Sequence, residues 1–201
     1  MTVFAGINGA GKSTLFHYQA QQGIPNLGER ICPDEILQDM NGDWHNYRDV
    51  GESARISIRK LHWCVNNQQS FNWETTIVTG FMVEFLKRAK KQGFITNLNF
   101  IGVGDVNQSI ERVKSRVESG GHGVPEELIR HRHKLQFNNI REVLEVVDYA
   151  KFYDNQDNMK VVGIYANNKL LYADPEVDWM QQINRNVQRA QLASKTYSIK
   201  L

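Results

Sequence analysis

Residues 6–13 read Gly6-Ile7-Asn8-Gly9-Ala10-Gly11-Lys12-Ser13. They fit G-x-x-x-x-G-K-[ST], the phosphate-binding P-loop pattern. The flanks fit as well. Thr2–Ala5 is a short β-type run, and Thr14 to Gln22 reads as helix, so strand, glycine loop and helix follow in the order the motif needs. Glycines at 6, 9 and 11 let the backbone curl until successive N–H groups form an anion-binding nest. The positive end of the next helix faces the same anion. The expected nucleotide contacts are therefore Gly6, Asn8, Gly9, Ala10, Gly11, Lys12, Ser13 and Thr14. Lys12 is expected to reach the β- and γ-phosphates of ATP, and Ser13 to offer its hydroxyl to Mg²⁺.

Downstream, strand-like and helix-like stretches alternate. Residues 23–26 read as a turn and Glu29 to Cys32 as extended. A helical turn begins at Asp34, and a long helix is expected from Asp49 to Gln69. A strand over 70–74 precedes a helix over 80–92, which Gly93 closes. A strand over 94–103 leads to a helix over 107–119, where Val106, Ile110, Val113 and Val117 form one apolar stripe. After Gly120-Gly121-His122-Gly123, a single helix is expected from Pro125 to about Val147, then a strand over 148–154. Runs 161–165 and 170–173 around Asn167-Asn168-Lys169 predict a β-hairpin, and Asp174-Pro175 starts a final helix to about Ser194. The alternation predicts an α/β fold with a parallel sheet and helices on both faces.

The 201 residues suit one domain, with a core of about 1–155 and a hairpin and helix over 156–201. With 41% hydrophobic and 23% charged residues, the chain is expected to fold. Lys and Arg total 24 against 22 Asp and Glu, a net charge of +2 that gives no reason to expect polyanion binding by charge alone. Cys32 and Cys64 make neither a disulfide framework nor a zinc site, and a reducing cytoplasm is the simplest expectation. No apolar run of about 18 residues predicts a membrane span, and no basic stretch before the first apolar run marks a signal peptide.

Four clusters narrow the chemistry. Asp34 follows the second strand, so it emerges at the carboxyl edge where ligands bind. A carboxylate there can accept the proton of a hydroxyl that attacks the γ-phosphate. A helix N-cap is the plainer alternative, and local sequence leaves both open. Glu74, Thr75 and Thr76 end a strand at the same edge, where they can orient Mg²⁺ waters or bind the acceptor, or simply terminate the strand. Arg112 and Arg116 share a helix face that leads into the glycine loop, and Arg130-His131-Arg132-His133 lies beyond it. Two arginine-bearing helices joined by a mobile glycine loop describe a lid that closes guanidinium groups onto a triphosphate. A solvated basic hairpin is the alternative. His131 and His133 are two apart on a helix and point apart, which argues against a metal pair.

Together these pieces resemble the zeta-toxin family of P-loop kinases. The matching stretches are Gly-Ile-Asn-Gly-Ala-Gly-Lys-Ser-Thr at 6–14, Cys-Pro-Asp-Glu-Ile at 32–36 and Glu-Thr-Thr at 74–76. Glu-Arg-Val-Lys-Ser-Arg-Val at 111–117, Gly-Gly-His-Gly-Val-Pro at 120–125 and Ile-Arg-His-Arg at 129–132 complete the set. The resemblance covers roughly residues 1–155. It implies an ATP- and Mg²⁺-dependent kinase with strand order 2-3-1-4-5, acting on the sugar hydroxyl of a UDP-N-acetylamino sugar and blocked by a separate antitoxin protein. It also implies Lys12 and Ser13 as the P-loop pair, Asp34 as proton acceptor, Glu74 and Thr76 on the substrate side, and Arg116 and Arg132 in the lid. One departure stands out: Ile77 and Val78, not an arginine, follow Glu-Thr-Thr. The rival readings are a nucleotide-gated ATPase switch acting on a protein partner, and a nucleic-acid kinase or repair ATPase, which the near-neutral charge disfavours.

Overall fold

The computed structural model describes residues 1–23, 27–76 and 78–198, with side chains to residue 193. The expected turn at 24–26 and position 77 lie outside the described residues. In chain order the elements are β1 (Thr2–Ala5), α1 (Lys12–Gln21), β2 (Glu29–Ile31), α2 (Pro33–Asp39) and α3 (Tyr47–Asn66). Then come β3 (Phe71–Thr75), α4 (Gly80–Lys91), β4 (Asn97–Gly102), α5 (Val106–Glu118), α6 (Glu126–Leu135) and α7 (Ile140–Leu144). Strands β5 (Tyr149–Asp154), β6 (Lys160–Ala166) and β7 (Lys169–Ala173) and helix α8 (Asp178–Ser198) follow.

The strands form one sheet in the order β2-β3-β1-β4-β5-β6-β7. The first five are parallel, in the predicted order 2-3-1-4-5. The hairpin is more than an appendage, because β6 pairs antiparallel with β5 and β7 with β6. The sheet order reverses around β1, which places the P-loop at a switch point on the carboxyl edge.

Strand alternation sorts the core into two layers. Val3 and Ala5 of β1 and Leu98 and Phe100 of β4 pack with α3, α4, α7 and α8 residues such as Leu61, Leu86, Val143 and Met180. Phe4 and Ile101 face the other way, against Leu15 of α1, Ile110 and Val113 of α5 and Ile129 of α6. Burial of these side chains, at roughly 1.5–3 kcal/mol each, is what holds the helices against the sheet.

Two expectations are corrected. The single helix from Pro125 to Val147 is two helices, α6 and α7, separated by a turn. Asn139 adopts a left-handed backbone at φ 59°, which Asn tolerates and a helix interior does not. Its side-chain amide donates to the Val78 carbonyl at 3.0 Å, and the buried Gln136 side chain donates to the Val103 carbonyl at 3.0 Å. These bonds outside the helix replace the ones the break gives up. The final helix likewise starts at Asp178 rather than Asp174, because Asp174 instead accepts the Glu176 N–H in a turn.

Candidate active site

The P-loop is held from three sides. Gly6 N–H donates to Thr75 O of β3 at 3.3 Å, and Ala10 N–H donates to Ile7 O at 3.1 Å. Gly9 has φ 78°, and a Cβ there would collide with the Ser109 carbonyl of α5. Asn155, just past β5, donates its amide to Ala10 O at 2.8 Å. Arg112 reaches Gly9 O at 3.4 Å and Asn155 O at 2.9 Å, so it ties the loop to the end of β5. Gly11 occupies the N-cap of α1, and Lys12, Ser13 and Thr14 form that helix's first turn. Thr14 is exposed there. Lys12 is buried and donates to Ile7 O at 3.1 Å.

Glu74 lies at the mouth of this loop because β3 pairs in parallel with β1, in the register Phe4 to Glu74. The Ser13 hydroxyl donates to Glu74 Oε2 at 3.0 Å, and Lys12 Nζ is 3.7 Å from Oε1. Arg30 of β2 also pairs with Glu74, with its other nitrogens on Glu35 and Asn72. The Arg30 guanidinium stacks 3.9 Å above the Phe16 ring. Burial alone pushes the Glu74 carboxyl up, but Lys12 and Arg30, with hydrogen bonds from Arg30 and Ser13, hold it below the usual carboxylate range. Arg30 carried no signal in the sequence. A single cation in a three-residue strand identifies itself only once β3 is laid beside it.

Asn8, Lys12, Asp34, Glu74, Thr75, Thr76 and Arg132 all line one cleft of about 800 Å³. Asp34 sits in the first turn of α2 but does not cap it, since Cys32 is the N-cap and Pro33 the first helical residue. His122 Nε2 lies 3.7 Å from Asp34 Oδ1. Burial lowers the His122 pKa more than Asp34 raises it, and Arg116 lowers it further, so the ring is held below its ordinary 6.5. Arg132 of α6 donates to the Asn8 side chain. Burial also pulls its pKa down, against the charge of Asp34, yet a guanidinium stays charged at working pH.

Arg116, unlike Asp34, Glu74 and Arg132, does not line the cleft. It lies behind the glycine loop, with Gly121 N–H donating to its carbonyl at 2.8 Å. Its Nε and Nη2 are buried with no hydrogen-bond partner among the described residues. Buried guanidinium nitrogens without a partner are costly. The far wall of the cleft was not foreseen from sequence. It comprises Trp44 in the α2–α3 connection and Tyr47 and Val50 at the start of α3. Trp44 seats the glycine loop, since a Cβ on Gly123 would lie 2.6 Å from its ring. Among the described residues no cluster of three or more His, Cys, Asp or Glu could hold a metal by itself.

No protein-family model matches the chain. A Haemophilus influenzae protein described as uncharacterized is 32% identical over 132 residues, covering 65% of this chain and 89% of that protein. The chain belongs to the family of that protein. Among solved structures, the AvrRxo1-ORF1:AvrRxo1-ORF2 complex with sulphate ions matches at TM-score 0.66 and 13% identity, over 87% of this chain. This chain spans 61% of the matched one, and the same complex solved with ATP matches at 0.65. The PezAT chromosomal toxin–antitoxin system of Streptococcus pneumoniae matches at TM-score 0.59 and 15% identity, over 94% of this chain and 83% of that one. The fold is therefore that of the P-loop kinases, including the zeta-toxin-like ones, as the sequence resemblance implied. Among the described residues no helix is long and apolar enough to cross a membrane.

Proposed function

We propose that the protein is an ATP- and Mg²⁺-dependent phosphotransferase that moves the γ-phosphate of ATP to a hydroxyl of a small molecule. The observation that carries this reading is the convergence of Lys12, Asp34, Glu74 and Arg132 on one cleft at the carboxyl edge of the sheet. The residues fit both groups. A glycine nest backed by a helix N-terminus and a buried lysine suits a triphosphate. The Ser13 hydroxyl beside the Glu74 carboxylate is a pair of hard oxygen donors suited to Mg²⁺, which usually keeps several waters and binds few protein ligands. When bound, Mg²⁺ neutralises charge on the β- and γ-phosphates. Lys12 would bind the β- and γ-phosphates, and Arg132, fixed through Asn8, would face the charge that develops on the transferred group. Arg116 would join it as the glycine loop closes, giving its unpaired nitrogens a partner. Asp34 would orient the acceptor hydroxyl and take its proton. Thr75 and Thr76 would offer hydroxyls to the acceptor.

The AvrRxo1 complex solved with ATP and the toxin–antitoxin neighbour support nucleotide use and a separate inhibitory partner. The family resemblance makes a UDP-N-acetylamino sugar the reference acceptor. The deciding experiment incubates the purified protein with Mg²⁺ and γ-labelled ATP plus candidate acceptors, beside Lys12→Ala. Lys12-dependent label on a hydroxyl compound is expected. Label released only as inorganic phosphate would favour the ATPase-switch reading instead.

A further inference from the structure

We propose that the acceptor carries no phosphate of its own: it is a hydroxyl compound with an apolar or aromatic body and a neutral or amine-bearing polar edge. This rests on the kinase reading and narrows its substrate. Among the described residues, the lysines and arginines lining the cleft are Lys12 and Arg132. Both stand at its P-loop end, Lys12 on Ile7 O and Arg132 on Asn8, where the triphosphate of ATP takes them up.

The opposite end has a different chemistry. Asp34 and Glu127 are the carboxylates there, and Glu127 has no ion-pair partner among the described residues. Their neighbours are Trp44, Tyr47, Val50 and Leu128. Tyr47 is 90% exposed and Val50 and Leu128 are each 38% exposed, so apolar surface stands open to a ligand. Trp44 presents an aromatic ring that lies tilted by 33° over the His45 ring, 3.4 Å between centroids. Burial lowers the His122 pKa from its ordinary 6.5, which disfavours a positive charge on the ring. A nucleoside diphosphate group seated here would face two carboxylates, while the nearby cations, Arg132, whose charge reaches Asp34, and Arg116 behind the glycine loop, are already given to the transferred phosphate. Like-charge juxtaposition of this kind is how binding sites exclude wrong partners. A flat or apolar body stacked on Trp44 meets no such penalty, and an amine would find Glu127.

In the reaction the acceptor oxygen bonds to the γ-phosphorus. The bond from that phosphorus to the β–γ bridging oxygen breaks, and ADP leaves with its electron pair. The hydroxyl proton passes to Asp34. The product is a phosphomonoester whose only phosphate is the one transferred.

The test divides the small metabolites of a bacterial extract by anion exchange into phosphate-free and phosphate-bearing pools, with UDP-N-acetylglucosamine added to the second. Each pool is incubated with Mg²⁺, γ-labelled ATP and either wild type or Lys12→Ala, and labelled products are weighed by mass spectrometry. Lys12-dependent label chiefly in the phosphate-free pool, in a product with one phosphate, is the expected result. Label chiefly in the phosphate-bearing pool overturns the proposal and leaves the kinase reading standing. Lys12-dependent label in neither pool defeats the kinase reading and the proposal with it. In a second arm, Glu127→Lys is expected to raise labelling of the phosphate-bearing pool relative to the other by about tenfold. An unchanged ratio overturns the electrostatic basis of the proposal.

Discussion

The two ends of the cleft are built by different means. At the P-loop end the anion-facing groups, Arg132 aside, come from one contiguous stretch, 6–13, and most are backbone N–H groups. At the end proposed to hold the acceptor, Asp34 comes from α2, Trp44 from the α2–α3 connection, His122 from the glycine loop and Glu127 from α6. The first end needs only a local conformation, and neighbours such as Arg112 and Asn155 lock it. The second exists only when four separate segments meet. Such assemblies of loops on a rigid sheet are where one fold changes its substrate while keeping its nucleotide chemistry.

If the ends divide their labour in this way, substitutions at each should fail differently. Asp34→Asn should lower phosphoryl transfer by about 10²–10⁴-fold while leaving ATP affinity and the thermal melt nearly unchanged. Transfer at the wild-type rate in a folded sample would remove proton acceptance from the acceptor end.

Glu74→Ala strikes where the ends join. It strips Lys12, Ser13 and Arg30 of their shared buried carboxylate, and breaking such a pair costs about 3–5 kcal/mol. Denaturant unfolding reads that loss directly. The sign with pH follows from the lowered pKa of Glu74. Its contribution is full above the ordinary 4.5 and is lost as pH falls through the folded-state value, so the gap between wild type and variant should narrow in acid.

If Arg132 meets charge that develops during transfer, as proposed, Arg132→Ala should lower kcat by about 10²–10³-fold with a smaller change in ATP affinity. An effect confined to KM would return Arg132 to the ground-state nucleotide site and blur the division between the ends.

The smallest effect is expected at His122. Its folded-state pKa lies below 6.5, so the unfolded chain binds more proton just under that pH and the native state loses stability as pH falls through the window. His122→Gln should therefore melt with a shallower pH dependence between about pH 7 and 5, by a fraction of a proton. Parallel melting curves would show that His122 does not feel burial in the lid.

Sequence alone determined the parts that depend on local conformation. The P-loop and the sites of Asp34 and Glu74 at strand ends were legible, because a glycine pattern and short-range periodicity specify backbone paths; the strand order came only from the family resemblance. Asp34 as proton acceptor or helix cap was left open, and only the backbone around Cys32 and Pro33 removed the cap. Tertiary structure decided what depends on distant segments. It brought Arg30 onto Glu74 across β3, turned Arg112 toward the P-loop and left Arg116 behind the glycine loop. It broke the helix at Asn139, where bonds to Val78 and Val103 outweigh helical continuity. It also placed Trp44 and Glu127 across one cleft although they lie far apart in the chain. Periodicity reports which face of an element is buried, but the partner of a buried charge or an open aromatic ring is set by packing between elements, which no local pattern encodes.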